Sequence, residues 1–368
     1  MEGGLVARPI IAIDARYGLR KVRRGVGEYV FQLLKHLADY DRPYDLQVLG
    51  DESADPEVVR DVSQIYPVTV VPAPNFFWWE QVAFARAARH AALWHGTANI
   101  GPLRGKVPQI LTIHDVIEWH RGVSFPAQLS FRHKLSRMYR MNALKRLAPR
   151  AKAILTVSNH AKDDLVQMLG VDDTRVVVTP LAAKHTGGEP SFPKHPYFLA
   201  LGASDPRKNA KTALLALQQV PAPYGLKLVG AEEQALAPLR ALAESLGVGD
   251  RVDIEGMISD RKLAELYEHA TAFLYPSYYE GFGLPVLEAM AHGCPVIASD
   301  RSSIPEVMGQ AGIALPPDQP KRWGQVMVDL AEDRPWQVIL AHEGRVRAAQ
   351  FSWEQTAQLT HRIYCQGT

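Results

Sequence analysis

The segment Leu274–Asp300, LYPSYYEGFGLPVLEAMAHGCPVIASD, constrains the fold of this chain more than any other. Apolar runs at its two ends predict short buried strands, and a glycine-broken loop and a helix lie between them. Strands interleaved with helices form parallel sheets that are covered on both faces. The segment therefore predicts an α/β domain built on a parallel sheet.

The same alternation of short apolar runs and amphipathic stretches occupies both halves of the chain. In the first half it predicts strands at 10–13, 46–49, 68–71, 93–95, 110–113, 153–157 and 176–179, with helices at 26–39, 84–92 and about 127–147. In the second half it predicts strands at 197–201, 226–229, 252–254 and 272–275, helices at 210–218, 232–246 and 260–268, and a last helix at about 353–364.

Between the halves, HTGGEPSFPKH at 185–195 has two glycines and two prolines and reads as a linker. We therefore predict two Rossmann-like domains, 1–185 and 196–350, that face each other across a cleft, followed by a C-terminal helix in 351–368. A length of 368 residues agrees with about two domains.

Bulk composition narrows the class of protein. The net charge of +2 gives no indication of a nucleic-acid binder, and two distant cysteines form neither a disulfide framework nor a zinc spacing. The N-terminal MEGGLVARPIIAID lacks the basic start and long apolar core of a signal peptide, and no apolar run reaches the length of a spanning helix. We expect a cytoplasmic protein that does not bind nucleic acid.

Two groups of candidate site residues follow predicted strands of the first half. Gly25 and Gly27 flank the start of the helix at Val26, where missing side chains admit a ligand and free amides favour an anion. A flexible glycine turn explains them equally well. His114, in His114-Asp115, directly follows a strand and can contact a sugar hydroxyl or a leaving phosphate. The alternative is a structural histidine beside a helix cap.

Two further groups lie in the second half. Arg207 and Lys208, in DPRKN, follow the strand at 197–201 and can neutralise a diphosphate, although an exposed basic turn is the alternative. Glu280 and Glu288 bracket the loop Gly281-Phe282-Gly283 and the helix start after it. That helix start suits a phosphate, and carboxylates accept hydrogen bonds from sugar hydroxyls. A solvated loop acid and a first-turn acid are the alternatives.

Three other patterns carry weaker signals. Asp39-Tyr40-Asp41 resembles a metal-binding pair of aspartates but follows a helix, so we predict a surface turn and no metal site. Phe76-Phe77-Trp78-Trp79 can be core or an exposed acceptor or membrane surface, and we predict core. Residues 132–152 carry eight cations and no acid. This segment can be a solvated face or can bind an anionic membrane surface.

With these groups in place, the chain resembles glycosyltransferase family 4, whose members have the GT-B fold and use nucleotide sugars. The resemblance covers nearly the whole length. It is strongest in EGFGLPVLEAMAHGCPVIASD, where seven residues separate the two glutamates. RRGVGEYV, LTIHD, TVSNHAKDDL and DPRKN also fit, and FSW at 351–353 is similar to the start of the family's closing helix, which crosses back to the first domain.

The resemblance implies a role for each matching position. Glu280 and His114 would contact the donor sugar, Glu288 would hold the ribose, and the first domain would bind the acceptor. Many relatives carry an arginine directly after the residue equivalent to Gly202, whereas this chain has Ala203. The implied donor-binding residues are Gly25, Gly27, Arg207, Lys208, Gly281, Phe282, Gly283, Leu284 and Glu288, and no metal ligand is implied.

The resulting hypothesis is a retaining, metal-independent glycosyltransferase that moves a hexosyl unit, mannose as the best guess, from a GDP- or UDP-linked sugar. Its acceptor would be a hydroxyl of a glycan or a lipid-linked glycan, and it needs no cofactor besides the donor. Binding of the basic segment 132–152 to an anionic membrane surface would place the protein peripherally at the inner face of a membrane. The alternatives are a nucleotide-sugar epimerase and a non-catalytic nucleotide-sugar-binding protein.

Overall fold

The computed structural model of the chain describes residues 7–120, 131–184, 186–188, 192 and 194–367, and within 131–133 only the backbone. The chain divides into two compact units. Unit 1 contains the chain up to Trp119, the stretch that ends at Leu181, and the chain from Ser352 onward; unit 2 includes Ala182–Phe351. The predicted helix start near 127 lies outside the described residues, and so does much of the predicted linker at 185–195.

Unit 1 is built on a seven-stranded parallel sheet in the order β3-β2-β1-β4-β5-β6-β7. Each predicted strand of the first half is confirmed, with ends that shift by a residue or two. The apolar runs were recognisable because most residues of these strands are buried, although the edge strand Val68–Val70 exposes two of its three residues. The strands are β1 Ile10–Asp14, β2 Asp45–Gly50, β3 Val68–Val70, β4 Leu93–Gly96, β5 Gln109–Thr112, β6 Ala153–Thr156 and β7 Val176–Val178.

Helices connect most of these strands, as parallel pairing favours, whereas a loop without a helix joins β4 to β5. The predicted helix at 84–92 is misplaced: helical structure begins at Phe76, passes through a π-helical segment at Trp79–Ala83 and ends at Ala87. The helices of unit 1 are α1 Val26–Leu37, α2 Pro56–Ser63, α3 Phe76–Trp78, α4 Phe84–Ala87, α5 Phe131–Leu147, α6 Asn159–Leu169 and, at the end of the chain, α14 Trp353–Gly367.

The aromatic run before α4 is mostly on the surface. Trp79 is fully buried, but Phe76, Phe77 and Trp78 are 45%, 48% and 46% exposed. The prediction that the run belongs to the core is therefore wrong for three of its four residues. The predicted surface turn at Asp39-Tyr40-Asp41 is confirmed.

Unit 2 has a six-stranded parallel sheet in the order β10-β9-β8-β11-β12-β13. Counted within the unit this is 3-2-1-4-5-6, the strand order of the Rossmann fold. The strands are β8 His195–Leu201, β9 Gly225–Val229, β10 Val252–Glu255, β11 Ala270–Tyr275, β12 Val296–Ser299 and β13 Ile313–Leu315. The predicted architecture of two Rossmann-like domains is thus confirmed.

The helices of unit 2 pack their apolar sides onto this sheet, and Phe198, Leu228, Leu274 and Trp323 are among the fully buried residues of that core. The three predicted helices are confirmed within two residues at each end, while α10 to α13 complete the unit. The helices are α7 Ala210–Leu217, α8 Glu233–Ser245, α9 Asp260–His269, α10 Leu284–Ala291, α11 Ile304–Met308, α12 Pro320–Glu332 and α13 Arg334–Ala348.

The last helix belongs to unit 1, where α14 packs against α1. A buried chain of hydrogen bonds fastens it to the sheet. Tyr364 on α14 bonds through its hydroxyl to Nδ1 of His95, whose Nε2 lies 2.7 Å from Oγ1 of Thr112. That oxygen lies 2.9 Å from the hydroxyl of Tyr29 on α1. Burial lowers the pKa of His95 to about 3, so the imidazole is neutral and has one donor and one acceptor for these partners.

Among the described residues, no helix combines the length and apolar character that crossing a membrane requires.

The buried chain predicts a stability difference between two tyrosines of the same region. Tyr364→Phe leaves a ring nitrogen of His95 without a partner in a site of zero exposure, which should lower the free energy of unfolding by about 1–3 kcal/mol. Tyr40→Phe serves as the control, because the Tyr40 hydroxyl donates to Glu354 at the surface; its effect should stay within about 0.5 kcal/mol. Urea denaturation measures both, and equal losses would contradict the role given to His95.

Candidate functional site

The site of unit 2 lies where its strand order reverses, between β8 and β11. In doubly wound sheets, ligands bind outside the carboxyl ends of the strands at this switch point. Arg207 and Lys208 follow β8, and Glu280 follows β11. The topology therefore brings three of the sequence-predicted residues to one place, although 72 positions separate Lys208 from Glu280.

A tight turn presents the two cations. Asp205 accepts a hydrogen bond from the amide of Arg207 at 2.9 Å and caps the short 3₁₀ turn Pro206–Lys208. The same carboxylate binds the Arg207 side chain through Nε and Nη2, at 3.1 and 2.8 Å. Gly202, with φ of +70°, leaves the space that the Lys208 side chain needs, since a Cβ there would lie 2.9 Å from Lys208 Cγ.

Glu280 is held by side chains from both loops. Its Oε1 lies 2.7 Å from Nζ of Lys208 and accepts hydrogen bonds from the hydroxyls of Ser277, at 2.6 Å, and Tyr275, at 3.0 Å. Nζ of Lys208 also donates to the Tyr275 hydroxyl. The second carboxylate oxygen, Oε2, lies 3.9 Å from Nη1 of Arg207.

The backbone around Glu280 is equally fixed. Its amide donates to Oγ of Ser302 at 2.9 Å, and the Ser303 hydroxyl donates to the carbonyls of Glu280 and Phe282, at 2.9 and 2.8 Å. The loop after β11 therefore holds the carboxylate in one orientation before any ligand binds.

Electrostatics keep Glu280 ionised. Its side chain is only 7% exposed, and burial alone would raise the pKa of this carboxyl. The Lys208 ammonium and then the Arg207 guanidinium outweigh burial and hold the pKa of Glu280 below its ordinary value. Burial works against the charge of Arg207 too, but the Glu280 and Asp205 carboxylates raise its pKa. The site thus holds a buried carboxylate and two cations, all charged at neutral pH.

The two cations retain donors for a ligand. A lysine has three N–H donors, and Lys208 uses two of them on Glu280 and Tyr275, which leaves one. An arginine has five, and Arg207 uses two on Asp205, which leaves three. These remaining groups can bind phosphate oxygens.

Gly281, Phe282, Gly283 and Leu284 form the turn into α10, which begins at Leu284 as the sequence predicted. Gly283 has a φ of +103°, a conformation that glycine adopts without strain. The first intrahelical bond is that of Val286 to the Gly283 carbonyl, at 2.9 Å. The amides of Gly283 and Leu284 precede this bond and can donate to an anion.

Glu288 lies in the second turn of α10 and is partly buried. No acid occupies the first turn, so the alternative explanation of Glu288 as a first-turn dipole partner does not hold. Burial, and after it the charge of Glu288, raises the pKa of Tyr267. Gly293, with φ of +64°, follows the helix end as predicted.

Unit 1 holds the remaining candidates at the carboxyl ends of its strands. Gly25, with φ of +48°, precedes α1, and a Cβ on Gly27 would lie 2.8 Å from the Tyr17 carbonyl oxygen, so both positions favour glycine. His114 follows β5 and is 8% exposed. Its ring meets the edge of Tyr29, from the first turns of α1, at a centroid distance of 5.0 Å.

The ring of His114 has a defined proton position. Nε2 lies 2.9 Å from the carbonyl oxygen of Thr97, which can only accept, so Nε2 carries the hydrogen. Burial lowers the pKa of His114 to about 4, which leaves the ring neutral at pH 7. The other nitrogen, Nδ1, is then an acceptor. The neighbouring Asp115 accepts a hydrogen bond from the amide of Ile117 at 3.2 Å, which agrees with the cap considered as an alternative.

Sequence reasoning missed four residues that hold Glu280 in place: Tyr275, Ser277, Ser302 and Ser303. Tyr275 and Ser277 occur in the segment LYPSYYEGFG, and their position after a buried strand was a usable signal. Ser302 and Ser303 lie more than twenty positions further along the chain, and no local pattern relates them to Glu280.

Comparison with known proteins agrees with this arrangement. The family model of Glycosyltransferase Family 4 matches residues 23–183, and that of Glycosyl transferases group 1 matches residues 184–347. The chain belongs to glycosyltransferase family 4. The two matches meet near Leu181, where unit 1 gives way to unit 2.

Curated relatives of this family member include two mannosyltransferases. O-antigen chain mannosyltransferase B of Escherichia coli is 33% identical over 58% of this chain, and O-antigen chain mannosyltransferase RfbU of Salmonella typhimurium is 30% identical over 61%. The matched segments span only about three fifths of these relatives, 60% and 61% of their lengths.

Solved structures support the fold. Sucrose-phosphate synthase from Thermosynechococcus elongatus superposes with a TM-score of 0.78 at 23% identity, covering 98% of this chain and 99% of its own. This family member therefore has the GT-B fold.

The paired charges predict a pH-dependent stability. Because the folded state lowers the pKa of Glu280, its contribution is present above the unfolded pKa and is lost as pH falls through the folded value. Glu280→Gln should thus lower the free energy of unfolding by about 3 kcal/mol at pH 7. The difference from the unmodified chain should shrink as the pH falls below the ordinary value of 4.5.

Denaturant unfolding at several pH values measures this difference, and the exposed Glu332→Gln in unit 2 is the matched control. A loss that stays constant from pH 7 to acid pH would show that packing, not charge, holds Glu280.

Proposed function

We propose that the chain is a retaining hexosyltransferase that takes its sugar from a nucleotide diphosphate donor. The observation that carries this proposal is the buried Glu280 carboxylate, kept ionised by Lys208 and Arg207 at the switch point of a Rossmann-like unit. An ionised, oriented carboxylate can accept hydrogen bonds from sugar hydroxyls, and the cations beside it can hold a diphosphate.

The donor diphosphate would bind to the unused N–H groups of Arg207 and Lys208 and to the amides of Gly283 and Leu284. The dipole of α10 adds positive potential at the same point. Glu288, one turn into that helix, would accept the two vicinal hydroxyls of the ribose. In this arrangement, groups of the protein neutralise the negative charge of the diphosphate, and neither a metal nor another cofactor takes part.

The fixed tautomer of His114 specifies how this residue would contact the donor sugar. Its N–H is committed to Thr97, so Nδ1 would accept a hydrogen bond from a hydroxyl of the sugar. A neutral imidazole gives no charge to a leaving phosphate, so we assign that task to Arg207 and Lys208 instead.

In the transfer step, the bond between the anomeric carbon and the diphosphate oxygen would weaken while the sugar becomes oxocarbenium-like. The cations and helix amides stabilise the departing diphosphate, which is a stabilisation of the transition state. Retention of configuration, which membership of the family implies, would follow from attack of the acceptor hydroxyl on the face that the diphosphate leaves, with the hydroxyl proton passing to the departing diphosphate oxygen.

We further propose that mannose is the transferred sugar and that the acceptor is a glycan or a lipid-linked glycan. The names of the two curated relatives support this choice. A lipid-linked acceptor requires the enzyme to work at a membrane surface, which agrees with a cytoplasmic protein that associates with the inner face.

The two alternatives predict different products. An epimerase would convert the donor without any acceptor, and a non-catalytic binding protein would bind the donor without releasing nucleotide. The ion pairs of Glu280 with Lys208 and Arg207 favour the transferase. The carboxylate can bind the sugar while the adjacent cations bind the diphosphate that separates from it.

A thermal-shift panel of nucleotide sugars tests donor binding. A donor at about 100 times its dissociation constant should stabilise the folded protein by about 2.7 kcal/mol. We expect GDP-mannose or UDP-linked hexoses, but not free mannose, to give this shift. Glu288→Gln should weaken donor binding about tenfold, since a charged acceptor of two hydroxyls is lost.

Glu332→Gln is again the matched control and should bind the donor like the unmodified chain. Unchanged donor affinity in Glu288→Gln would contradict its assignment to the ribose. Conversion of the donor into an isomeric nucleotide sugar without any acceptor, and without release of nucleotide, would replace the transferase by the epimerase.

A further inference from the structure

Three of the aromatic side chains that the structure exposes lie side by side on unit 1 and form an apolar tip. Phe76, Phe77 and Trp78 occupy the single turn of α3, and each leaves close to half of its surface exposed. Asn75 caps this turn by accepting from the amide of Trp78 at 2.9 Å. Three adjacent exposed aromatic residues are uncommon on a protein surface and mark an interaction site.

The tip is rigidly attached. Directly after it, the π-helical segment buries Trp79 and Glu80, and Glu80 binds the buried Arg16 at 2.6 Å. The Tyr139 hydroxyl donates to the other carboxylate oxygen of Glu80 at 2.9 Å. The exposed rings therefore extend from an anchored base.

The helix α5 adds a stripe of exposed side chains. Residues 134, 135, 138, 142, 145 and 146 are the exposed positions between 134 and 147, and helical geometry places them on one face within about a third of a turn. They are Lys134, Leu135, Met138, Asn142, Lys145 and Arg146. Leu135 and Met138 are 53% and 58% exposed.

Tyr139 joins the tip to the stripe. Its ring lies 6.1 Å from that of Phe76 and 5.1 Å from that of Phe77, measured between centroids. Tyr139 is adjacent in sequence to Met138 and one helical turn after Leu135. The α3–α5 surface, defined as the tip plus the stripe, is thus one continuous area in which apolar side chains adjoin cations.

Charge indicates what this surface binds. Residues 131–152 contain no acid, and the stripe itself contributes three cations. Exposed aromatic and aliphatic side chains beside lysine and arginine suit the boundary between lipid headgroups and acyl chains, while the cations attract anionic lipids. A sugar-binding platform would instead present several carboxylates or amides beside its rings. Here the tip adjoins one exposed amide, Asn75, whose oxygen already caps the turn, and the stripe offers Asn142.

We propose that the α3–α5 surface docks on an anionic lipid bilayer, with Phe76, Phe77 and Trp78 entering the headgroup region. The sequence predicted only that the basic segment 132–152 can face a membrane. The aromatic tip adds the apolar side chains that would anchor it there. The docking does not depend on which sugar the enzyme transfers.

Vesicle co-sedimentation of the full chain tests the proposal. The chain should bind vesicles of phosphatidylcholine mixed with phosphatidylglycerol, and binding should weaken as salt is raised. Phe77→Ser/Trp78→Ser should reduce partitioning about tenfold or more, and Lys134→Glu/Lys145→Glu should reduce it similarly on the anionic vesicles only. Each variant should retain the donor-induced thermal shift, so a failure of docking is distinguishable from a failure of the proposed reaction.

Matched controls come from unit 2. Val338→Ser/Ile339→Ser removes two exposed apolar side chains of α13, and Lys321→Glu/Arg322→Glu reverses two exposed cations of α12; both should bind vesicles like the unmodified chain. Equal losses in these controls, or equal binding to neutral and anionic vesicles, would overturn the proposal.

Two other outcomes would also overturn it. If the tip variant loses binding to soluble mannose oligosaccharides and the unmodified chain ignores vesicles, the tip is a glycan platform. If the unmodified chain forms dimers that the tip variant abolishes, with no vesicle binding, the surface is an interface between copies of the chain.

Discussion

The contact between the Glu280 carboxylate and the Lys208 ammonium is the interaction on which the site depends. A carboxylate that is 7% exposed is disfavoured by burial, and it stays ionised because two cations and two hydroxyls surround it. The contact joins the loop after β8 to the loop after β11, the two strands at the centre of the unit 2 sheet. The same groups that fix the loops are the ones that would meet a sugar diphosphate, so positioning and chemistry share their residues.

The two units use their cations differently. In unit 2, Arg207 pairs with Asp205, which caps the same turn, and Lys208 pairs with Glu280, which follows the neighbouring strand. In unit 1, α5 exposes Lys134, Lys145 and Arg146 on one face beside the aromatic tip. The first arrangement holds a buried carboxylate in place, and the second is the one for which we propose binding to an anionic membrane surface. The formal net charge of +2 for the whole chain reveals neither arrangement, because both depend on how the charged residues are spaced within each unit.

Much of the fold was predictable because buried parallel strands read as apolar runs, and residues just beyond them line the ligand crevice. This logic found Arg207, Lys208, Glu280 and His114. It failed where the same residue types can be either buried in a core or exposed on a surface. Phe76-Phe77-Trp78-Trp79 suits a core as well as a surface, and in the fold Trp79 is buried while the first three rings are exposed. The sequence also could not predict that Nε2 of His114 carries the proton, because this depends on the carbonyl of Thr97, seventeen residues away.

Carbon-13 NMR of the side-chain carboxyl of Glu280, assigned by its absence in Glu280→Gln, tests the central claim most directly. Titration of the free protein should show a carboxylate whose pKa lies below the ordinary value of 4.5, and Lys208→Met should move its midpoint upward. A midpoint at or above 4.5 in the unmodified chain, or one that Lys208→Met leaves in place, would contradict a carboxylate that the two cations hold charged for its ligand.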